Sequence, residues 1–216
     1  MLVSHRKKFI YTKTAKTAGT SVESYFERYC MPKNQWSFQH AREEYISKEG
    51  IIGFRGRRNK FNTPTYYNHM PAVDIKKQLG DQIWETYFKF CVIRDPFDKL
   101  VSAYYFSERD SDGSIKSFRK WLKTTQFNDR SVYLINGEVC MDYFIRYEHL
   151  HNDIKHVCAV LDIPFEPFKI PHLKTGFRNK KIQLYEFYDR KSIKLVKNLY
   201  KFELKYFGYS APKKPK

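Results

Sequence analysis

The chain has 216 residues, 42% of them hydrophobic and 18% aromatic, and a formal net charge of +17. This composition excludes a disordered chain and supplies enough apolar side chains for the core of one ordinary domain. The charge favours anionic partners such as nucleic acid, acidic polysaccharide, phosphorylated small molecules or membrane surfaces, without choosing among them. The four cysteines form no Cys-x-x-Cys pair, which favours a reducing compartment over a disulfide scaffold.

Two strand–loop–helix segments dominate the pattern along the chain. Residues 8–13 predict a short strand, followed by a loop of small residues and a helix from about residue 21 to 28. Residues 87–93 form a nearly unbroken apolar run, typical of a strand buried in a parallel sheet, and a helix is predicted after Pro96.

The remaining elements alternate between helix and strand. We predict irregular structure at 40–68 with a possible strand at 51–54, a helix opened by Pro71, a helix at 114–123, a hairpin at 131–146 around Asn136-Gly137, and amphipathic helices at 148–161 and 189–205. This alternation predicts an α/β fold of three layers. No repeat or long linker divides the chain, so we expect a single domain over residues 1–210 and a basic tail at 211–216.

The first loop runs from Lys13 to Ser21 and has the composition of a phosphate-binding loop. Small residues let backbone N–H groups approach a phosphate, and the following helix N-terminus adds positive potential. The Walker A pattern is absent, which disfavours ordinary nucleotide hydrolysis. The alternative is a helix that is simply capped by Thr20 or Ser21.

The second loop follows the apolar strand and reads Arg-Asp-Pro-Phe-Asp-Lys-Leu-Val-Ser over residues 94–102. An arginine at the carboxyl end of a strand can contact a phosphate with two N–H groups. Ser102 lies about two helical turns further on and can offer a hydroxyl to the same group. Asp95 is expected to cap the helix, with Pro96 at its first position.

The pair of motifs Lys-Thr-Ala-Gly-Thr-Ser (residues 16–21) and Arg-Asp-Pro-Phe-Asp-Lys-Leu-Val-Ser closely resembles the two nucleotide-binding motifs of sulfotransferases that use 3′-phosphoadenosine 5′-phosphosulfate (PAPS). His69-Met70-Pro71-Ala72, residues 144–150 and the closing residues 207–209 are similar to the carbohydrate group that contains heparan sulfate 2-O-sulfotransferase. The resemblance covers roughly residues 8–209. It implies a P-loop-like fold with a central, mainly parallel sheet flanked by helices.

The resemblance also implies roles for individual residues. Lys16 would stabilise the leaving group, and His69 would be the general base, with Glu43 and Glu44 as alternatives. The PAPS-binding residues would be Lys16, Thr17, Ala18, Gly19, Thr20 and Ser21 for the 5′-phosphosulfate, Arg94 and Ser102 for the 3′-phosphate, and Lys174 and Arg178 in a covering loop. The product would be 3′,5′-ADP, and no metal is expected because lysine and arginine can neutralise the charge. Asp95 and Lys99 depart from the commonest form of the motif, which has Asn and Arg there.

The acceptor is expected to be a hydroxyl of a carbohydrate, and a basic cluster suggests an anionic glycan. The cluster lies just upstream of His69, which belongs to the same expected acceptor site, and consists of Arg55, Arg57, Arg58 and Lys60. A solvated basic loop is the alternative for this cluster. The alternative for the whole chain is a basic nucleic-acid-binding protein without catalytic activity, which would leave both loops unexplained.

The sequence also suggests a cellular location. No stretch reaches the roughly 18–20 apolar residues of a membrane span, and neither a signal peptide nor an Asn-x-Ser/Thr sequon is present. We therefore predict a cytoplasmic enzyme of bacterial or viral origin. The alternative is the soluble catalytic part of a Golgi-type enzyme. The oligomeric state is not indicated.

Overall fold

A computed structural model of the chain describes residues 1–56, 63–108, 111–171 and 182–215. The chain divides into two compact units, which are treated separately below. Unit 1 comprises Met1–Ile93 with Asp129–Leu173, and unit 2 comprises Arg94–Asn128 with Lys174–Lys216. The single domain expected over residues 1–210 stays a prediction.

The strands and helices follow one another in the alternating order expected of an α/β fold. The strands are β1 (Leu2–Ser4), β2 (Phe9–Tyr11), β3 (Tyr45–Ser47), β4 (Gly50–Ile52), β5 (Phe88–Ile93), β6 (Leu134–Ile135), β7 (Glu138–Val139) and β8 (Tyr143–Arg146). The α-helices are α1 (Gly19–Glu27), α2 (Ala72–Leu79), α3 (Asp81–Thr86), α4 (Pro96–Ser107), α5 (Ile115–Leu122), α6 (Leu150–Val160), α7 (Arg190–Leu199) and α8 (Lys201–Phe207).

The main sheet of unit 1 has the strand order β3-β4-β1-β2-β5-β8. Strand β5 pairs in parallel with β2 and with β8, whereas β1 pairs antiparallel with β2 and β4, and β3 antiparallel with β4. The prediction of a mainly parallel sheet is therefore wrong for the β3–β4–β1–β2 half. A parallel pairing needs a crossover of a dozen or more residues, and residues 5–8 between β1 and β2 allow only a tight reversal.

Both faces of the sheet are covered. Phe9, Phe90 and Val92 point into a core with residues of α1 and α6, such as Phe26 and Val157. Alternate residues of the same strands, including Ile10 and Cys91, are also buried. They point to the opposite face, where the Lys89 ammonium donates to the backbone carbonyl of Trp84 in α3 at 3.1 Å. Burial on both faces explains the unbroken apolar run of β5.

Unit 2 is built around aromatic side chains. Phe118 of α5 packs edge-on against Phe187 and Tyr188, each with ring centroids 5.3 Å away. The Tyr188 hydroxyl donates to the Phe97 carbonyl at 2.6 Å. The helix predicted at 189–205 is interrupted at Tyr200, a buried residue, and forms α7 and α8 instead.

Other boundaries refine the sequence-based predictions. The hairpin is confirmed for β6 and β7, because Asn136 and Gly137 both adopt positive φ (53° and 84°), as a two-residue type I′ turn requires. The end of the predicted hairpin segment is instead β8, which joins the main sheet. Strand β1 was not predicted. Within the described residues, no helix combines the length and apolar character needed to cross a bilayer.

Candidate active site

The loop between β2 and α1 has a strained backbone. Thr12 N–H donates to the Phe90 carbonyl at 3.1 Å, which extends the β2–β5 pairing by one residue before the chain turns. Lys16 and Ala18 then adopt left-handed conformations, with φ of 60° and 57°. A residue with a Cβ pays roughly 1–2 kcal/mol there, and such conformations concentrate at ligand sites. The loop is therefore held in shape by its surroundings.

Helix α1 begins without a side-chain cap. Ala18 occupies the N-cap position, and the first turn contains no acidic residue. Thr20 and Ser21 both lie inside the helix, so the interpretation of either as its N-cap is wrong. The N–H groups of Gly19 and Thr20 precede the first intrahelical bonds, which leaves them for an anion or water at the positive end of the helix.

The side chains of the loop divide into inward and outward groups. The Thr14 hydroxyl contacts the Val92 carbonyl and lies 2.9 Å from the hydroxyl of fully buried Thr17. The side chain of Thr17 therefore stabilises the loop from within. The Thr20 hydroxyl, by contrast, makes no hydrogen bond among the described residues.

A glycine is required at position 19 because neighbouring atoms leave little room for a side chain, and not because of its backbone dihedral angles. A Cβ at this position would lie 3.1 Å from the Lys13 Cγ and 3.1 Å from the Thr14 carbonyl oxygen. The Tyr11 hydroxyl also approaches closely and donates to the Gly19 carbonyl at 3.1 Å. The small residue thus lets α1 start tightly against the strand.

Asp129 fixes the loop from a distant part of the chain. Its Oδ2 accepts a hydrogen bond from the Ala15 N–H at 2.7 Å, and the residue is buried. Sequence reasoning missed this contact, because the two residues are far apart in the chain and no local pattern links them.

A buried ion cluster underlies the loop and α1. The Glu23 Oε2 lies 2.7 Å from both the Lys13 Nζ and the Arg55 Nη1. Burial alone would raise the pKa of Glu23, but attraction to Lys13, the Met1 amino group and Arg55 outweighs it and holds the pKa far below its usual range. Glu23 is therefore charged and anchors Lys13 beneath the loop.

This cluster corrects one predicted acceptor contact. The Arg55 guanidinium also pairs with Glu27 at 3.3 Å and donates to the carbonyls of Gln39 and His40 at 2.7 and 3.0 Å. The residue is only 4% exposed. Arg55 therefore stabilises the interior of unit 1 and is not available to a substrate. Arg57, Arg58 and Lys60 lie outside the described residues.

His69 lies against the same loop. Its Nδ1 is 2.9 Å from the Lys13 carbonyl oxygen. Because a carbonyl can only accept, Nδ1 carries the proton and the neutral ring presents Nε2 as an acceptor. The residue also has a positive φ of 60°, another strained backbone position beside the loop. At the level of sequence, only the family resemblance predicted that His69 lies beside this loop.

The surroundings of His69 keep it neutral. Desolvation by the protein, reinforced by the nearby charge of Lys13, lowers the pKa of His69 to about 4. The residue nevertheless has solvent-accessible surface. A small molecule can therefore meet the ring from the solvent side. The alternative base Glu44 accepts from the Thr65 and Tyr66 N–H groups at 3.2 and 2.5 Å, which gives it a structural role.

The second predicted motif begins unit 2 with a capped helix. Asp95 accepts from the Phe97 N–H at 2.9 Å and Pro96 is the first helical residue, which confirms both assignments. The Arg94 guanidinium contacts the Asp98 Oδ2 through Nη2 at 2.6 Å and Nε at 2.8 Å. Asp98 therefore orients the Arg94 guanidinium, and Ser102 lies one helical turn beyond Asp98 on the same helix face. Sequence reasoning missed this orienting role of Asp98.

Two other predicted residues cannot be placed. Lys174 and Arg178, assigned to a covering loop, lie outside the described residues. Within the described ranges no group of three or more His, Cys, Asp or Glu side chains is arranged to hold a metal ion. The residues that unit 1 brings together are thus the loop, the uncapped start of α1, and a neutral histidine. Such a set can bind an anion beside a proton acceptor.

The sequence of the chain is similar to those of known proteins. An uncharacterized protein of Archaeoglobus fulgidus is 31% identical over 103 residues, covering 45% of this chain and 86% of the relative. No solved structure matches the chain. A sequence model described as the sulfotransferase family matches residues 1–210. The match spans both motifs and His69, and the chain belongs to the sulfotransferase family.

Proposed function

We propose that this sulfotransferase moves the sulfuryl group of PAPS to a hydroxyl of a carbohydrate. The observation that carries the proposal is the hydrogen bond between His69 Nδ1 and the Lys13 carbonyl. It fixes the tautomer whose Nε2 can accept a proton, beside the loop that is proposed to bind an anion. A protein that only binds nucleic acid needs neither the strained loop nor this histidine, and only the net charge of +17 favours that alternative.

The residues of the loop fit the 5′-phosphosulfate group. The amides of Gly19 and Thr20 and the Thr20 hydroxyl are available donors, and Lys16 belongs to the same turn. Thr17, Ala18 and Ser21 would contribute through the backbone, since Thr17 and Ser21 are buried. In unit 2, Arg94 and Ser102 would bind the 3′-phosphate. The strand–loop–helix arrangement supports a P-loop-like architecture.

The chemistry requires positioning and charge neutralisation, as in phosphoryl transfer. PAPS would supply an activated sulfuryl group on a phosphate leaving group. His69 Nε2 would take the proton of the acceptor hydroxyl while that oxygen bonds to sulfur and the bond between sulfur and the bridging oxygen breaks. Lys16 would stabilise the negative charge left on the bridging oxygen. These steps need no metal ion.

The acceptor proposed is an anionic glycan. Arg57, Arg58 and Lys60 remain candidates for holding it, since their charges precede His69 in the chain. Arg55 is removed from this set because its guanidinium is buried among Glu23 and Glu27. The cytoplasmic location predicted from the sequence is kept as a proposal.

The test is sulfuryl transfer from labelled PAPS to a panel of glycans by wild type and His69→Ala. We expect turnover to fall roughly 10²- to 10⁴-fold in the variant, with the affinity for 3′,5′-ADP unchanged because other residues hold the phosphates. His151→Ala, on the exposed surface of α6, is the matched control and should match wild type. Near-normal turnover in folded His69→Ala would contradict the assignment.

The pKa of His69 adds a second readout. Because the folded pKa is about 4, below the ordinary value of 6.5, kcat/KM should stay level as pH falls through 6.5 and decline only near pH 4. In the same window the unfolded chain binds a proton that the folded chain does not. The free energy of unfolding should therefore rise with pH between about 4 and 6.5, and this slope should weaken in His69→Asn. Denaturant titrations at several pH values measure it.

A further inference from the structure

Unit 1 contains a cavity of about 550 Å³ that the proposed chemistry does not use. Its lining includes four cationic side chains and no acidic one: Arg6, Lys7, Arg28 and Lys33. Tyr29, Asn34 and Trp36 complete the lining. The volume lies within the range of small-molecule sites, and the lining charge favours an anion.

The cavity is separate from the candidate active site. Arg6 and Lys7 lie on the turn between β1 and β2, and the other lining residues follow the last residue of α1. The phosphate-type loop lies at the opposite end of α1. At 1.5 Å per residue, this helix places the two ends roughly 13 Å apart. A ligand in the cavity would therefore not occupy the place of the sulfuryl donor.

The cations of the cavity are only weakly neutralised by the protein. Arg6 pairs with Glu49 at 3.9 Å, Arg28 with Glu166 at 3.8 Å, and Lys7 with the exposed Asp162 at 3.6 Å. At 3.6 to 3.9 Å these ion pairs are long, and none of these carboxylates lines the cavity. The Lys7 ammonium also donates to the Asp162 carbonyl. Among the described residues, Lys33 has no ion-pair partner.

The arginines and the indole are held in place before any ligand arrives. The Arg6 Nη2 donates to the Arg28 carbonyl at 2.9 Å. The Arg28 guanidinium lies 4.8 Å from the centre of the Trp36 ring, and the indole N–H donates to buried Glu27 at 3.2 Å. This wall of aromatic rings and fixed guanidinium groups suits a ligand that has both an apolar ring face and anionic substituents.

We infer that the cavity binds an anionic saccharide, as a second contact for the glycan acceptor away from the hydroxyl that reacts. The inference rests on the proposed function in taking the acceptor as the source of the saccharide. The cations come from two separate chain segments, the turn between β1 and β2 and the stretch that follows α1. This arrangement suits a sugar with several sulfate or carboxylate groups better than one isolated anion. A glycan polymer would then be held at both ends of α1.

The probe is a sulfated heparin tetrasaccharide, titrated calorimetrically into the full chain with 3′,5′-ADP present. Asn34→Asp places one carboxylate in the lining with almost no change of shape, and aspartate tolerates the positive φ of 65° at this position. Lys7→Glu/Lys33→Glu reverses two charges. We expect the Kd to rise about tenfold or more in both variants. The matched control Lys194→Glu/Lys197→Glu, on the exposed side of α7, has the same net charge as the second variant and should stay within about twofold of wild type.

Three results would overturn the inference: an unchanged Kd in Asn34→Asp, an equal loss in the α7 control, or competition between the tetrasaccharide and 3′,5′-ADP. Kinetics separate it from the proposed function. If the inference holds, the KM for a polymeric acceptor rises in Asn34→Asp while the KM for a monosaccharide does not. If no glycan is sulfated at all, the proposed function fails, and the calorimetric difference between the variants still decides the inference.

Discussion

Helices α1 and α4 each follow a strand of the main sheet within a few residues, yet they begin in different ways. Helix α4 starts with an aspartate cap and a proline at its first position. Helix α1 has Ala18 at its N-cap position, where the backbone is left-handed and the side chain cannot cap. The capped helix satisfies its own first turn, whereas the uncapped helix leaves backbone donors for a ligand.

The two helices also differ in the charge of their first turns. Helix α4 carries Asp98 in its first turn, which complements the helix dipole and pairs with Arg94. Helix α1 has no acid in its first turn. Its two glutamates, Glu23 and Glu27, lie further along the helix and are buried, and Glu23 pairs with Lys13. An anion could therefore bind to the backbone N–H groups at the start of α1. At the start of α4 the Asp95 carboxylate already accepts from the Phe97 N–H, and the candidate anion contacts are the side chains of Arg94 and Ser102.

Among changes at the two helix starts, the largest effect is expected from an aspartate at the N-cap position of α1, the residue type that α4 has there. Ala18→Asp places a carboxylate where the 5′-phosphate is proposed to bind, and like charges about 4 Å apart repel by about 4 kcal/mol at an effective dielectric constant of 20. We expect the Kd for 3′,5′-ADP to rise at least about 100-fold, measured by calorimetry. Ala18→Asn has the same shape without the charge and should bind within a few-fold of wild type. If the two variants bind 3′,5′-ADP equally, the proposal of an anion site at the start of α1 is wrong.

A smaller effect is expected from Arg94→Ala. Hydrogen bonds to charged groups contribute about 1.5–3 kcal/mol, so the preference for 3′,5′-ADP over 5′-AMP should fall roughly 10- to 100-fold. Thermal shift with both nucleotides measures it. Arg94→Lys retains the charge without the planar fork and should lose part of the preference. A full preference in Arg94→Ala would exclude the proposed 3′-phosphate contact.

The smallest effect is expected from removing the cap of α4. Asp95→Ala should lower the free energy of unfolding by about 0.5–2 kcal/mol, seen in urea titrations. The affinity for 3′,5′-ADP should change little, because the Asp95 side chain accepts from the Phe97 N–H and serves the helix. The contrary result is a loss of binding free energy for 3′,5′-ADP that exceeds the loss in the free energy of unfolding. Asp95 would then serve the nucleotide site as well as the helix.

Local patterns were sufficient for much of this protein. The unbroken apolar run of β5, the Asn136-Gly137 turn and the Asp95-Pro96 helix start each depend on neighbours in the chain, and each is present in the structure. Strand β1 has only three residues and was missed because so short a run carries little periodicity. The antiparallel half of the sheet was mispredicted because strand order depends on connections that no single element reveals.

The sequence by itself determined that a loop with the composition of an anion site follows a strand, and that the chain resembles sulfotransferases. Only the tertiary structure decided what surrounds that loop. Asp129 reaches Ala15, Glu23 anchors Lys13, and the Lys13 carbonyl selects the tautomer of His69. These contacts join residues from separate elements, and their strength comes from burial. Arg55 was predicted to lie at the surface, but the structure buries it. The sequence does not show whether a charged side chain pairs with a carboxylate in the core.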